Sequence, residues 1–191
     1  MAKYKRNIKL KGRDVLGKKV LVLGETGSGK TKLLAELLQE LMVLMNPEEM
    51  TIIDLAPQRA RGIGGKLTDY INLISKVRYL SPERVYKPRL TGTSPEEILR
   101  YAESNKKIME PLLNRFIQKP TENLVLNDVT LYLHCGELET VLKCVGLAKT
   151  FLATAYYGTK LVDDFGTGIS SRERQLTNKL ANVMDLVIKI D

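Results

Sequence analysis

The stretch Gly24-Glu25-Thr26-Gly27-Ser28-Gly29-Lys30-Thr31 limits this chain more than any other feature. It satisfies G-x-x-x-x-G-K-[ST] at every defined position. The setting also fits. Lys18 to Leu23 ends in an apolar, β-branched run that reads as a buried strand. Thr31 to Met45 carries Leu33, Leu34, Leu37, Leu38, Leu41 and Met42 at helical spacing and stops before Pro47. Glycines at such a junction let backbone N–H groups converge on an anion, and the helix N-terminus adds a dipole of favourable sign. Lysine followed by threonine goes further, because Lys30 can reach β- and γ-phosphates and the Thr31 hydroxyl can ligate Mg²⁺. A purely structural turn needs neither. The expectation is a site for nucleotide phosphates and magnesium.

Around this loop, strands and helices alternate. Thr51 to Leu55 reads as a second strand, followed by a glycine-rich loop through Gly62, Gly64 and Gly65, and Val77 to Leu80 as a short third strand. Ser94-Pro95-Glu96-Glu97 opens a helix with a capping serine, a proline suited to the first turn and Glu97 placed for a capping box. Pro111 predicts a kink or a break into two helices. Leu124 to Leu126 forms a strand ending at Asn127-Asp128. A helix over about 137–148, a strand over Phe151 to Tyr156, a loop over 158–171, a helix over 172–180 and a strand over 184–190 complete the chain. This order predicts an α/β fold, a three-layer sandwich around a mainly parallel sheet with right-handed crossovers.

At 191 residues with 43% hydrophobic and 27% charged residues, the chain can bury the core of one domain. No apolar run predicts a membrane span or a signal peptide, so the expected location is cytoplasmic. Of the net charge of +8, residues 1–19 carry +7: eight basic groups (Lys3, Lys5, Arg6, Lys9, Lys11, Arg13, Lys18, Lys19) against Asp14. The expected organisation is a basic N-terminal arm over 1–17 and a nucleotide-binding domain over 18–191. Such an arm suits nucleic acid, an acidic partner or a membrane surface, and it equally suits a solvated leader strand.

Magnesium chemistry at a phosphate loop also calls for a carboxylate at the end of another buried strand. Asp54 and Asp128 both qualify, and Asp128 follows the cleaner apolar run. If Asn127 faces the metal, Asp128 takes the position of a catalytic base; if the register shifts by one, Asp128 holds the metal and Val129 follows it. Arg59 and Arg61, and Arg172 and Arg174, are candidates for phosphate clamps or for arginines acting across an interface, though surface positions are the simpler reading. Gly62 to Lys66 reads as a mobile loop or an extra anion-binding turn. Asp164-Phe165-Gly166 lacks the other protein-kinase motifs. Asn178-Lys179 lacks the aspartate of a guanine-specific motif, because Ala181 stands there, so ATP is favoured over GTP. Cys135, Cys144 and the single His134 fit no disulfide or metal-ligand spacing, and the His134-Cys135 pair reads as packing.

On these residues the chain resembles the P-loop NTPase superfamily over most of its length. The wording GETGSGKT is similar to that of helicases and of secretion or DNA-pumping ATPases. The strand Phe151 to Tyr156, with Ala153-Thr154-Ala155, resembles the sensor strand that these ATPases insert between the P-loop strand and the Walker B strand. That resemblance implies Thr154 as a polar sensor of the γ-phosphate, and Lys30, Asn127 and Asp128 as the other catalytic positions. It implies a single-domain ATPase using ATP and Mg²⁺ that acts in a ring or on a partner. A small-molecule or nucleotide kinase, and a nucleotide-gated binding module with little hydrolysis, are the alternatives.

Overall fold

The computed structural model describes residues 3–5, 10–59, 65–72 and 76–190. Seven strands form one sheet: β1 (Lys3–Lys5), β2 (Lys19–Gly24), β3 (Met50–Asp54), β4 (Arg78–Leu80), β5 (Asn123–Asn127), β6 (Thr150–Tyr156) and β7 (Leu186–Ile190). Every pairing among them is parallel, and their order across the sheet is β1-β7-β2-β6-β5-β3-β4. The helices are α1 (Gly12–Val15), α2 (Lys30–Leu44), α3 (Pro88–Thr91), α4 (Pro95–Gln118), α5 (Thr130–Leu133), α6 (Leu138–Leu147) and α7 (Ile169–Asn182).

Parallel strands are buried on both faces, which is why β2, β3, β5 and β6 read as continuous apolar runs instead of alternating ones. The pleat still divides them. Leu21, Leu23, Leu124, Leu126 and Phe151 face a core closed by α4, α5, α6 and α7. Val20, Val22, Ile52, Val125 and Leu152 face a second core closed by Leu34, Leu37, Leu38 and Leu41 of α2. The result is a three-layer α/β sandwich around a parallel sheet. In particular, β6 lies between β2 and β5, pairing with both.

Three local features depart from the sequence reading. Helix α4 runs unbroken through Pro111 for 24 residues. Its buried stripe of Ile98, Ala102, Met109, Leu113 and Phe116 anchors it on both sides of the proline, so packing outweighs one lost backbone hydrogen bond. Glu97 accepts from Thr93 N and Oγ1, one residue before the capping Ser94. Residues 10–17, grouped with the arm by charge, pack into the domain: Val15 is fully buried and Gly12 lies against α2, where a Cβ would meet Glu40. Lys3–Lys5 pairs with β7 at the sheet edge. Lys18 and Lys19 donate to the carbonyls of Asp14 and Ala148.

Candidate functional site

The loop from Gly24 to Thr31 joins β2 to α2 at the carboxyl ends of the parallel strands, where α/β sheets form ligand crevices. Gly24 has no room for a side chain: a Cβ would sit 2.5 Å from the Ile190 carbonyl oxygen and 2.6 Å from Ser28 Oγ. Gly27 and Gly29 have φ of +75° and +89°, with open space where a Cβ would point. Two left-handed glycines make a concave run of amides, and Gly29 hands over directly to the α2 N-terminus. Ser28 Oγ is buried and has no partner within the protein. Together these features suit a bound anion.

Lys30 folds back over the loop, its Nζ donating to the carbonyls of Gly24 at 3.0 Å and Glu25 at 2.6 Å. Burial pushes its ammonium below the usual lysine range, opposed by the negative charges of Asp128, Glu25 and Glu173. Thr31 is half-buried on the first turn, and Lys32, next in the chain, is exposed. The Glu25 carboxylate turns away from the loop. Its Oε1 accepts from Thr26 N at 2.7 Å, and its Oε2 accepts from Thr159 N at 2.7 Å and Lys160 N at 3.0 Å. Burial alone would raise its pKa, but these backbone donors outweigh it and hold the carboxyl below its ordinary value.

A cavity of about 180 Å³ opens from this loop, lined by Thr26, Lys30 and Thr31 on one side and by Asp128 and His134 on the other. Asp128 directly follows β5 with φ +61°, a left-handed conformation that Asp tolerates better than most residues. Thr154 of β6 enforces the turn. Its Oγ1 accepts from Asp128 N at 2.8 Å and donates to Asn127 Oδ1 at 2.8 Å, while its carbonyl takes Val129 N at 3.0 Å. Thr130 Oγ1 donates to Asp128 Oδ1 at 2.7 Å. Burial pushes the Asp128 carboxyl up; that hydrogen bond and the charge of Lys30 pull it back down.

Asn127 and Asp128 differ in where their side chains lie. Asn127 is fully buried, and its Nδ2 donates to Asp54 Oδ1 at 2.9 Å while its Oδ1 accepts from Thr154. Asp128 is the one that lines the cavity. Asp54 is a hub of β3: it accepts from Ala56 N, Leu67 N, Tyr79 Oη and Asn127 Nδ2, and that leaves it little capacity for a metal. Thr154 has its donor and acceptor both engaged inside the sheet. Arg172 and Arg174 are also held within the domain. Arg172 donates to Gly136 O at 2.8 Å; Arg174 donates to Gly158 O and stacks on Tyr157 at 3.8 Å. Arg59 lies at the cavity wall, 6.0 Å from the Tyr70 ring; Arg61 to Gly64 fall outside the described residues. Asp164 caps α7, accepting from Ser170 N at 2.9 Å.

A buried polar cluster on the same cavity is absent from the sequence reading. Glu173 Oε2 accepts from Arg89 Nη2 and pairs with His134 Nε2, each at 2.5 Å, and all three side chains are almost wholly buried. Arg89 also donates to Ser170 Oγ and lies over the Tyr156 ring. These residues come from α3, the end of α5 and α7, and no spacing motif links them. The only signal was the lone histidine, whose neighbour Cys135 points to a different partner set.

The donor set suits magnesium better than a protein-caged metal. Among the described residues, no group of three or more His, Cys, Asp or Glu is placed to hold an ion. One hydroxyl and one carboxylate, Thr31 and Asp128, match a cation that keeps its waters and takes phosphate oxygens. No helix among the described residues is long and apolar enough to cross a membrane.

No family model matches the chain. No curated protein matches it either. Among solved structures, it is similar to one described as a prototypical ATPase from the type III secretion system of pathogenic bacteria, at 13% identity and a TM-score of 0.42. The similarity covers 91% of this chain and 51% of that one, so the chain spans about half the length of that structure.

Proposed function

We propose that the chain binds ATP with Mg²⁺ through Gly24 to Thr31 and hydrolyses it to drive a partner. The observation that carries this reading is the convergence of Lys30, Thr31 and Asp128 on one cavity beneath a left-handed glycine loop. The amides of Gly27 to Thr31 and the Lys30 ammonium neutralise phosphate charge, with Lys30 leaving the carbonyls of Gly24 and Glu25 to do so. Thr31 and Asp128 would hold the magnesium, which supplies further charge neutralisation when bound. Asp128, fixed by Thr154 and Thr130, orients the attacking water. Thr154 then acts through Asp128 and not on the phosphate itself. The basic segment at the N-terminus is the candidate contact for nucleic acid or an acidic protein, and a second copy of the chain is a candidate partner.

A second reading, transfer of phosphate to an anionic acceptor, draws on one observation: Arg59, Lys87 and Arg89 line the cavity beyond Lys30. One experiment decides. ATP turnover is measured with and without single-stranded DNA or RNA, beside phosphate transfer to a panel of nucleotides. Turnover that releases inorganic phosphate supports hydrolysis, and stoichiometric appearance of a phosphorylated acceptor overturns it. Lys30→Ala tests the site under either reading, because it removes the central phosphate ligand.

A further inference from the structure

Hydrolysis needs a group that takes the proton of the attacking water. The end of β5 offers none beyond Asp128, since Val129 is apolar and fully buried. The cavity wall supplies another arrangement. His134 lines it from the end of α5, 1% exposed. Its Nε2 lies 2.5 Å from Glu173 Oε2, and its Nδ1 is buried with no partner in the protein. A carboxylate on one imidazole nitrogen selects the tautomer with hydrogen on that nitrogen. Nε2–H donating to Glu173 leaves Nδ1 with a bare lone pair. A buried acceptor without a donor is costly, so the site favours an occupant that brings one.

Charge agrees with this arrangement. Arg89 pairs with Glu173 at 2.5 Å and is itself stacked on Tyr156. Glu173 acts electrostatically on both Lys30 and Asp128, and His134 acts on Asp128, so the cluster belongs to the phosphate cavity and not to a remote surface. His134 also lines a second cavity, together with Glu103 and Lys106 of α4, Glu137, and Arg172 of α7. A purely structural role for the pair would be to pin α7 against α5, yet that role calls for no free imidazole nitrogen.

Building on the hydrolytic reading above, we propose that His134, held by Glu173, is the proton acceptor for water attack on the γ-phosphate. The water oxygen forms a bond to phosphorus as the bond to the bridging β–γ oxygen breaks, and that electron pair leaves with ADP. The water proton passes to His134 Nδ1. The imidazolium so formed is stabilised by Glu173 and later returns its proton to solvent. Asp128 positions the water, and the Glu173–His134 pair makes it nucleophilic.

His134 is the only histidine in the chain, so its two ring nitrogens can be read directly by ¹⁵N NMR of the whole protein. The expected spectrum is that of the Nε2–H tautomer, with the Nδ1 resonance moving when magnesium and a non-hydrolysable ATP analogue are added. An Nδ1–H tautomer, or an Nδ1 signal indifferent to the analogue, overturns the proposal. In kinetics, His134→Gln keeps a donor to Glu173, retains analogue affinity within about threefold, and lowers kcat by roughly 10²–10⁴-fold. Turnover within threefold of wild type, or loss of analogue binding in His134→Gln, would each reject the assignment. If that variant does not fold, Glu173→Gln and the wild-type spectrum carry the same test. A wild-type protein that binds the analogue but does not hydrolyse ATP removes the proton-acceptor role while leaving nucleotide binding intact.

Discussion

Thr154→Val separates two roles that one hydroxyl could have at this position. The side chains are nearly the same shape, and valine is at home in a central strand, so packing and β-propensity change little. What changes is the seam between β5 and β6. Asn127 Oδ1 loses its 2.8 Å donor in a buried setting, and Asp128 N loses its 2.8 Å acceptor in a partly buried one. Each orphaned group costs about 1–3 kcal/mol, so the pair should cost roughly 2–6 kcal/mol. Against a total stability of about 5–15 kcal/mol this is a large loss. For a chain of this size it lowers the melting temperature by roughly 4–24 °C. Thr154→Ser keeps the hydroxyl and removes one methyl, so its loss is about 1 kcal/mol. Urea unfolding of the two variants, alongside ATP turnover, gives the comparison. A seam role predicts that valine is much less stable than serine and that both stability and turnover drop in valine. If the two variants unfold at the same urea concentration and differ in turnover alone, the hydroxyl senses phosphate and the reasoning here is wrong.

Other substitutions probe neighbouring links. Arg89→Ala leaves the buried Glu173 without its arginine partner and should cost about 3–5 kcal/mol, read by thermal or urea unfolding; a loss under 1 kcal/mol would mean the pair is not buried in solution. Glu25→Gln should speed hydrogen exchange at Thr159 and Lys160 by releasing their carboxylate acceptor, and slower or unchanged exchange would refute the latch. The Glu25 carboxyl sits below its ordinary 4.5, so its contribution is complete above that value and is lost as pH falls through the lower folded value. Burial pushes the thiols of Cys135 and Cys144 up to about 11 and about 12 from 9.0. Their contribution to stability is therefore complete below pH 9.0 and disappears as pH rises through about 11 and then about 12. Urea midpoints should fall between pH 8 and 10.5, less so in the double Cys→Ala variant, and a thiol reagent at pH 8 should label the chain quickly only once it is unfolded.

The sequence exposed those features whose physics is local. A strand buried on both faces needs an apolar run, a phosphate loop needs glycine where φ turns positive, and a helix start needs a cap; each leaves a mark within a few residues. Strand order was legible only through likeness, since nothing in Phe151 to Tyr156 states which strands it joins. Pro111 misled because local backbone chemistry is weaker than a stripe of buried contacts running along both halves of α4. Asp54 and Asp128 look alike in sequence, each an acid after an apolar strand. They differ through tertiary partners: Leu67 N and Tyr79 Oη close over Asp54, whereas Asp128 is turned outward by a threonine 26 residues later. The Arg89–Glu173–His134 cluster is the extreme case, with members 39 and 84 residues apart along the chain and each unremarkable in its own segment. A buried charge cluster has no period and no spacing, because its members need only meet in space. That is also why it bears on function. Burying an arginine, a glutamate and a histidine beside this cavity is expensive in desolvation, and well-packed apolar residues would serve stability as well or better. A fold that keeps such a group next to Lys30 and Asp128, with one imidazole nitrogen left bare, holds chemistry there that stability alone does not require.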